Sequence, residues 1–547
     1  MKKVLLLLIF ATILFSCAKK ENKYANKKIL RYNESAGISY LDPAHSERFE
    51  DNWAMRQLYN GLVRMDKDLN IVSDLAKDWS ISEDGLVYTF NLRTDVCFHD
   101  NKCFKENKGP RVVAEDFVKS FYRITDYDTY SQGKFIFKNL NKNATSNRIG
   151  VEAVNDSTLK IHLNEVQRSF LSLLTLPYCS VISQTAIDYY GKDYFKNPVG
   201  TGPFKFKIWK EDVKLVLVKN ECYFEFDTEG TRLPYIDVVA ISFMKSKMQE
   251  YQSFNRGKLD FISGLHESYQ GVLLTPEGKL KEDKKDKIYM LKQPWLKTDY
   301  IGVLVDKDEP ITKGSPLKNK FVRQAVNYAI DREGLITHLR NGIGEANVNG
   351  FLPNGLNSFN GKKINGYKRD LKKVQELLAK AGFDGKTKFP VITLIATDNY
   401  REICDYVANN LTESGMKCKI EMVLPSVQKQ MIATHTTNFF RKSWTCDYPD
   451  PSNFLMLFYS KNFAPDFGPN YTHYSNPSFD ILYDRSEKEL NDFLRQEYFY
   501  QMEEMIKRDA PVVPLFYDEL VRFVSNRVSG IESNAMNQLD LRFVKLN

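Results

Sequence analysis

Residues 391–424 read VITLIATDNYREICDYVANNLTESGMKCKIEMVL. A run rich in β-branched residues comes first, then a segment whose apolar residues recur at helical spacing, then a second strand-like run. Strand, helix and strand in so short a stretch predict an α/β lobe with partly parallel strands, because a parallel pair needs a crossover between its members. Upstream, FVRQAVNYAIDREGLITHL (321–339) and YKRDLKKVQELLAKAGF (367–383) read as long helices, the second capped by Gly382. Downstream, Leu490, Leu494, Tyr498, Met502 and Ile506 share one helical stripe that stops before Pro511. VVPLFYDELVRFVSN (512–526) is apolar and strand-like.

Toward the N-terminus the pattern changes. KILRYNES (28–35) reads as a strand, LDPAHSERFE (41–50) as an extended loop and DNWAMRQLYNGL (51–62) as a helix with Gly61 as its C-cap. After Trp79, Tyr88, Phe90 and Leu92 alternate with polar residues beyond an Asp84-Gly85 turn, which predicts a hairpin. AEDFVKSFYRI (114–124) and FLSLLTLP (170–177) read as helices. In NPVGTGPFKFKIWK (197–210), glycines on both sides of Thr201 predict an irregular close-packed turn. No GxxxxGK[ST] pattern surrounds them, so the turn reads as a crossover between lobes and not as a phosphate loop.

With 547 residues the chain exceeds one hydrophobic core, and its 30 Tyr and 36 Phe are spread evenly, so two or three packed lobes are expected. A net charge of +8 with interspersed signs gives no nucleic-acid footprint. Met1-Lys2-Lys3, an apolar run from Val4 to Phe15 and Ser16-Cys17 resemble a secretory signal (1–16) ending in a bacterial lipoprotein box. Cys17 is then the expected lipidation site, with a polar tether at 17–27. Seven further cysteines form no CxxC pair, so no metal site is expected. Cys97 and Cys103 flank FHDNK and are the expected disulfide if this is a hairpin turn.

The chemistry of an enzyme is missing. No GxSxG, HExxH or SxxK motif occurs, and the seven histidines are scattered singly, so no catalytic residue and no cofactor is expected. One stretch stands apart: SWTCDYPDPSNFLMLFYS (443–460) sets Asp447 among aromatic and apolar residues. Asp-Tyr-Pro-Asp-Pro has turn chemistry, and a carboxylate awaiting a cation is the other reading.

Several segments in order resemble the oligopeptide/dipeptide-binding family of solute-binding proteins of bacterial ABC importers (family 5). They are LDP (41–43), YNGL (59–62), DLAKDWSISEDGLVYTFNLRTDVCFHDN (74–101), AEDFVKSFYRI, NPVGTGPF (197–204), VRQAVNYAIDRE (322–333), LLAKAGF (377–383), WTCDYPDPSNF (444–454) and APVVPL (510–515). Asn101 stands where the family usually has Gly, Phe204 replaces the commoner Tyr, and KCFKENKGPR (102–111) resembles a short insertion.

The resemblance implies a two-lobed α/β periplasmic-binding-protein-like fold with a hinge, the larger lobe holding two subdomains and the ligand lying in the cleft between lobes. Lobe I comprises 28–60, 196–290 and 512–547, with 61–195 as its second subdomain, and lobe II comprises 291–511. Asp447, three residues after Trp444, falls where peptide-binding members hold the ligand's ammonium. Glu47, Arg48 and Phe49 fall where they touch ligand backbone, and the residues from Ser443 to Cys446 lie on the other side. Arg441 is a candidate for a ligand carboxylate, with a surface arginine as the alternative. Arg323 and Asp331 read as helix-surface charges. The expected partners are short peptides with free N-termini, an ABC permease with its ATPase, and a membrane through the lipid. A monomer in the cell envelope is expected. Nickel chelates, haem, sugars or opines are the alternative solutes, and a sensing or adhesion lipoprotein is the alternative role.

Overall fold

The structure is a computed structural model describing residues 27–145, 150–264, 266–466 and 468–547. The signal sequence, Cys17 and nearly all of the tether lie outside the described residues.

Three sheets organise the chain. In the first, Ile29–Asn33, Val238–Ser242, Lys214–Lys219 and Phe204–Lys210 lie in that order, the first pair parallel. The second is antiparallel, with Ala76–Ile81, Val87–Leu92, Thr158–His162 and Val151–Asn155 in order. Beneath it the helix Ala114–Thr125 buries Phe117, Val118 and Phe121 in a core shared with Phe90 and Leu159. The third and largest sheet runs Phe261–Ser263, Val512–Ser525, Ile288–Val303, Phe439–Thr445, Ile392–Ala396, Cys418–Met422, with Glu345–Ala346 beside the Val512 strand.

The βαβ unit is present. Ile392–Ala396 and Cys418–Met422 pair in parallel, and the helix Arg401–Glu413 between them buries Cys404, Val407 and Leu411 against the sheet. The expected long helix at 321–339 is two helices, Lys320–Ala329 and Arg332–Leu339. Ile330 is extended, and the Asp331 side chain accepts from the Gly334 amide at 2.9 Å, so an N-cap interrupts a pattern that reads as continuous. Asp331 is thus a cap. Arg323 is buried instead of lying on a helix surface, and it donates to the carbonyls of Leu317, Asp509 and Ala510. The 170–177 segment makes only a single helical turn, Phe170–Leu173. The helix Phe49–Leu58 ends at an extended Tyr59, whose amide bonds Met55 O at 2.9 Å, so Gly61 is not its cap.

The glycine-rich turn packs as expected. A Cβ on Gly200 would lie 2.0 Å from Leu58 O, and one on Gly202 would lie 2.5 Å from Gln57 O. Only glycine lets the two backbones approach this closely.

The expected Cys97–Cys103 bridge is not formed, and both thiols are free. The segment opposite Cys97 is not the FHDNK side of a hairpin but residues 110–112. Phe98 N bonds Pro110 O at 3.0 Å, Val112 N bonds Val96 O at 2.9 Å, and Arg111 sits opposite Cys97. Cys103 lies in the turn between them, with its amide on Asn101 Oδ1. Burial raises the Cys97 thiol, and the neighbouring sulfur that raises it further is that of Cys222, not Cys103.

Two strands of unusual length, Ile288–Val303 and Val512–Ser525, pair with each other along most of their course, with a register shift between Pro294 and Thr298. At this irregularity Lys297 Nζ lies 3.0 Å from Asp299 and 2.7 Å from Asp518, and Arg340 also pairs with Asp518.

Candidate ligand-binding cleft

Asp447 lies two residues beyond the end of the strand Phe439–Thr445, in a bend ahead of a single helical turn at Ser452–Leu455. Asn453, fully buried, holds the bend. Its Oδ1 accepts from Trp444 Nε1 at 3.0 Å and from the Asp447 amide at 3.1 Å, and its Nδ2 donates to Asp447 Oδ2 at 3.5 Å. Trp444 is thereby pinned against the core that contains Phe454 and Leu457.

The Asp447 carboxylate itself is open to water and makes no salt bridge among the described residues. The protein mass around it still pushes its carboxyl up to about 6, and only the Asn453 hydrogen bond opposes this.

The charges of Glu47, from the loop ahead of the helix Phe49–Leu58, and of Asp447 both reach one side chain. Burial raises the Tyr178 hydroxyl, and the Glu47 and Asp447 carboxylates raise it further. The charges of residues about 400 positions apart in sequence therefore act on a single tyrosine. Phe49 is half-buried, its ring 6.1 Å from Trp53 and 6.4 Å from Trp295, and it links its helix to the register shift in the Ile288 strand. Tyr471 completes the group, since its hydroxyl is raised by burial and then by Asp447.

Two of the expected residues turn away. Arg441 is buried, ion-paired with Asp299 and stacked over the Tyr400 ring. Burial pushes its guanidinium down to about 9. Cys446 is also buried, with its thiol on the Tyr448 carbonyl and its amide on Leu296 O at 2.9 Å. The backbone beside them is more open. The Phe439 strand pairs along its whole length with Ile288–Val303, whereas its other edge meets the Ile392 strand only at Phe440. Gln428 Nε2 covers the Arg441 carbonyl at 3.0 Å, and among the described residues no strand pairs with that edge from Lys442 to Thr445.

A cavity of about 420 Å³ lies elsewhere, lined by Arg56, Asp74, Tyr223 and Arg542 among others and by none of the expected site residues. Its charges are mostly satisfied internally: Arg542 pairs with Asp540 and Glu225, and Asp74 accepts from Asn60 and the Gly61 amide. Asp447, by contrast, has no ion-pair partner among the described residues.

Sequence reading missed Tyr178, Tyr471 and Asn453. Asn453 lay inside the quoted motif and, six residues after the acid, was the findable one. Nothing local marks the two tyrosines.

A profile of the bacterial extracellular solute-binding proteins, family 5 (middle), matches residues 70–466. The chain belongs to this family. Family 5 proteins are the solute-binding components of ABC importers. The chain is 30% identical over 534 residues to the heme-binding protein A of Haemophilus influenzae, covering 94% of this chain and 92% of that one. It is 25% identical over 541 residues to the periplasmic oligopeptide-binding protein OppA of Salmonella typhimurium, covering 95% and 92%. Among solved structures, the ABC transporter-associated periplasmic binding protein DppA from Helicobacter pylori, in complex with the peptide STSA, superposes with a TM-score of 0.77. It is 26% identical, with 95% of this chain and 98% of that one covered. The fold is accordingly the two-lobed family 5 binding-protein fold. Such relatives are periplasmic or extracellular binding proteins and not enzymes, and no described helix here is long and apolar enough to cross a membrane.

Proposed function

We propose that this family 5 protein captures short peptides with free N-termini in the cleft at Asp447 and delivers them to an ABC permease. The observation that carries the reading is the Asp447 carboxylate, which is exposed, has no cation paired with it among the described residues, and is held by Asn453 alone. A peptide's ammonium supplies one, and a charge-assisted hydrogen bond of this kind contributes about 1.5–3 kcal/mol. The unpaired strand edge from Lys442 to Thr445 adds support, because main-chain pairing recognises any peptide regardless of its side chains. Glu47 and Phe49 contribute the opposite wall, and closure occurs about the Ile288 and Val512 strands. Lipid on Cys17 holds a monomer at the membrane.

A second reading, haem, is favoured by the 30% identity to a heme-binding protein. Titration calorimetry with trialanine, N-acetyl-trialanine and haem separates the two. Trialanine is expected to bind in the micromolar range or tighter, and acetylation to weaken it. Haem binding with no heat from trialanine would overturn the peptide reading. Cys17→Ser is expected to release the protein from the membrane fraction.

A further inference from the structure

Cys97 and Cys222 are the two exposed thiols among the described residues, and each stands two positions from a side chain that holds the glycine-rich turn. The buried His99 donates through Nε2 to the Gly202 carbonyl at 2.9 Å, and its Nδ1 accepts from the Gly200 amide at 3.3 Å. Asn220, also buried, donates through Nδ2 to the same Gly202 oxygen at 3.1 Å, and its amide bonds Pro203 O at 2.9 Å. One carbonyl oxygen therefore clamps the 97–99 segment against the 220–222 segment.

Neither segment is free to slide. His99 N bonds Gly200 O at 2.8 Å, Cys97 is bridged to Arg111, and the Cys222 amide turns onto Asn220 Oδ1 at 3.2 Å. Tyr223 and Phe224, directly after Cys222, enter the core that also holds Val96 and Phe98, the neighbours of Cys97. The Cys222 sulfur is close enough for its charge to act on Cys97. The other described cysteines are buried or half-buried, and Cys404 and Cys418 belong to a separate core. Relatives in this family are periplasmic or extracellular, a setting in which disulfides form and persist.

We propose that Cys97 and Cys222 form a disulfide, which staples the chain leaving the second sheet to the loop that follows Lys214–Lys219 in the first. The oxidant is another disulfide. One thiolate of the pair attacks a sulfur of glutathione disulfide and releases one glutathione, and the second thiolate attacks the mixed disulfide and releases the other. Two protons and two electrons leave the pair, glutathione disulfide takes up both, and one Sγ–Sγ bond replaces two S–H bonds. The bond closes the loop from 97 to 222, and constraining so long a stretch of the unfolded chain stabilises the fold.

The test is thiol mapping of the purified full chain. The protein is reduced with dithiothreitol, freed of it and incubated with glutathione disulfide, and its remaining thiols are blocked with iodoacetamide. The monomer band of a non-reducing gel is then digested with trypsin, and the peptides are weighed. The expected product is the Cys97 peptide joined to the Cys222 peptide, lighter than their sum by two hydrogens and separated again by dithiothreitol. The oxidised wild type is expected to unfold at a higher urea midpoint than the reduced one, and Cys97→Ser and Cys222→Ser to lose that rise. Blocking of both thiols by iodoacetamide or by glutathione, a link from Cys97 to Cys103, or a link found only in a dimer band overturns the inference. A bond that leaves the wild-type midpoint unchanged overturns the staple. If a serine variant misfolds, the wild-type map and midpoints decide alone.

Discussion

Asp447 and Asp450 stand three residues apart in one proline-rich bend, and their surroundings are opposite. Asp450 is clasped by Arg495 through two hydrogen bonds of 2.7 and 2.9 Å and accepts from the Ser452 amide at 2.9 Å. Burial alone would raise its carboxyl, but the guanidinium and amide outweigh burial and hold it below the usual range. Asp447 has only Asn453, and its carboxyl is pushed up. One sequence motif thus holds an acid clasped by a guanidinium and another with only an amide for a partner. The first serves the fold, and the second is the one proposed for a ligand. Residue type does not separate them, whereas the inventory of partners does.

The largest expected effect falls on the satisfied acid. Asp450→Asn leaves Arg495 buried beside a neutral amide, and breaking one half of a buried pair costs roughly 3–5 kcal/mol. Urea denaturation should show that loss, with peptide affinity unchanged in the fraction that remains folded. A stability loss below about 1 kcal/mol would put Asp450 in the same class as Asp447.

Asp447→Asn should do the reverse. Affinity for trialanine should fall about ten- to hundredfold, the worth of one charge-assisted hydrogen bond to a water-accessible carboxylate. The fold should survive. The sign of the pH effect follows from the raised carboxyl. Its contribution to stability is complete below about pH 4 and is lost as pH rises through 6, so at neutral pH Asp447→Asn should melt no lower than the wild type. Binding of an ammonium needs the ionised acid, so wild-type affinity should decline as pH falls through 6, approaching tenfold per unit. N-acetyl-trialanine should show no such slope. A slope shared by both peptides would assign the titration to another group.

The sequence disclosed these features unevenly. The βαβ unit was legible because its strands and helix are neighbours with clear periodicities. The break at Ile330 was not, because the Asp331 cap competes with an apolar pattern that runs straight through it. Arg323 and Cys97 were misjudged for a common reason. Their partners, the carbonyls near 509 and the segment at 110–112, are set by tertiary pairing and not by local spacing. The unusual setting of Asp447 was visible as an acid among aromatics. Its reach to Tyr178 and Tyr471 required the folded chain.

The smallest expected effect concerns the residue that joins the two acids. Asn453 sends its amide to the Asp450 carbonyl at 3.0 Å, while its side chain orients Trp444 and Asp447. Asn453→Ala keeps the first bond and removes the others, so its cost should divide: about 1 kcal/mol of stability from the Trp444 Nε1 left unpaired, and about a fivefold loss of affinity from a carboxylate no longer aimed. Fixing Asp447 has value only while Asp447 carries a charge for the ligand. In an Asp447→Asn background, Asn453→Ala should therefore cost the same stability and almost no further affinity, a non-additivity that a double-mutant cycle measures directly. Full additivity in binding would mean that Asn453 touches the ligand itself, and the border between the fold's acid and the ligand's acid would then run through Asn453 rather than beside it.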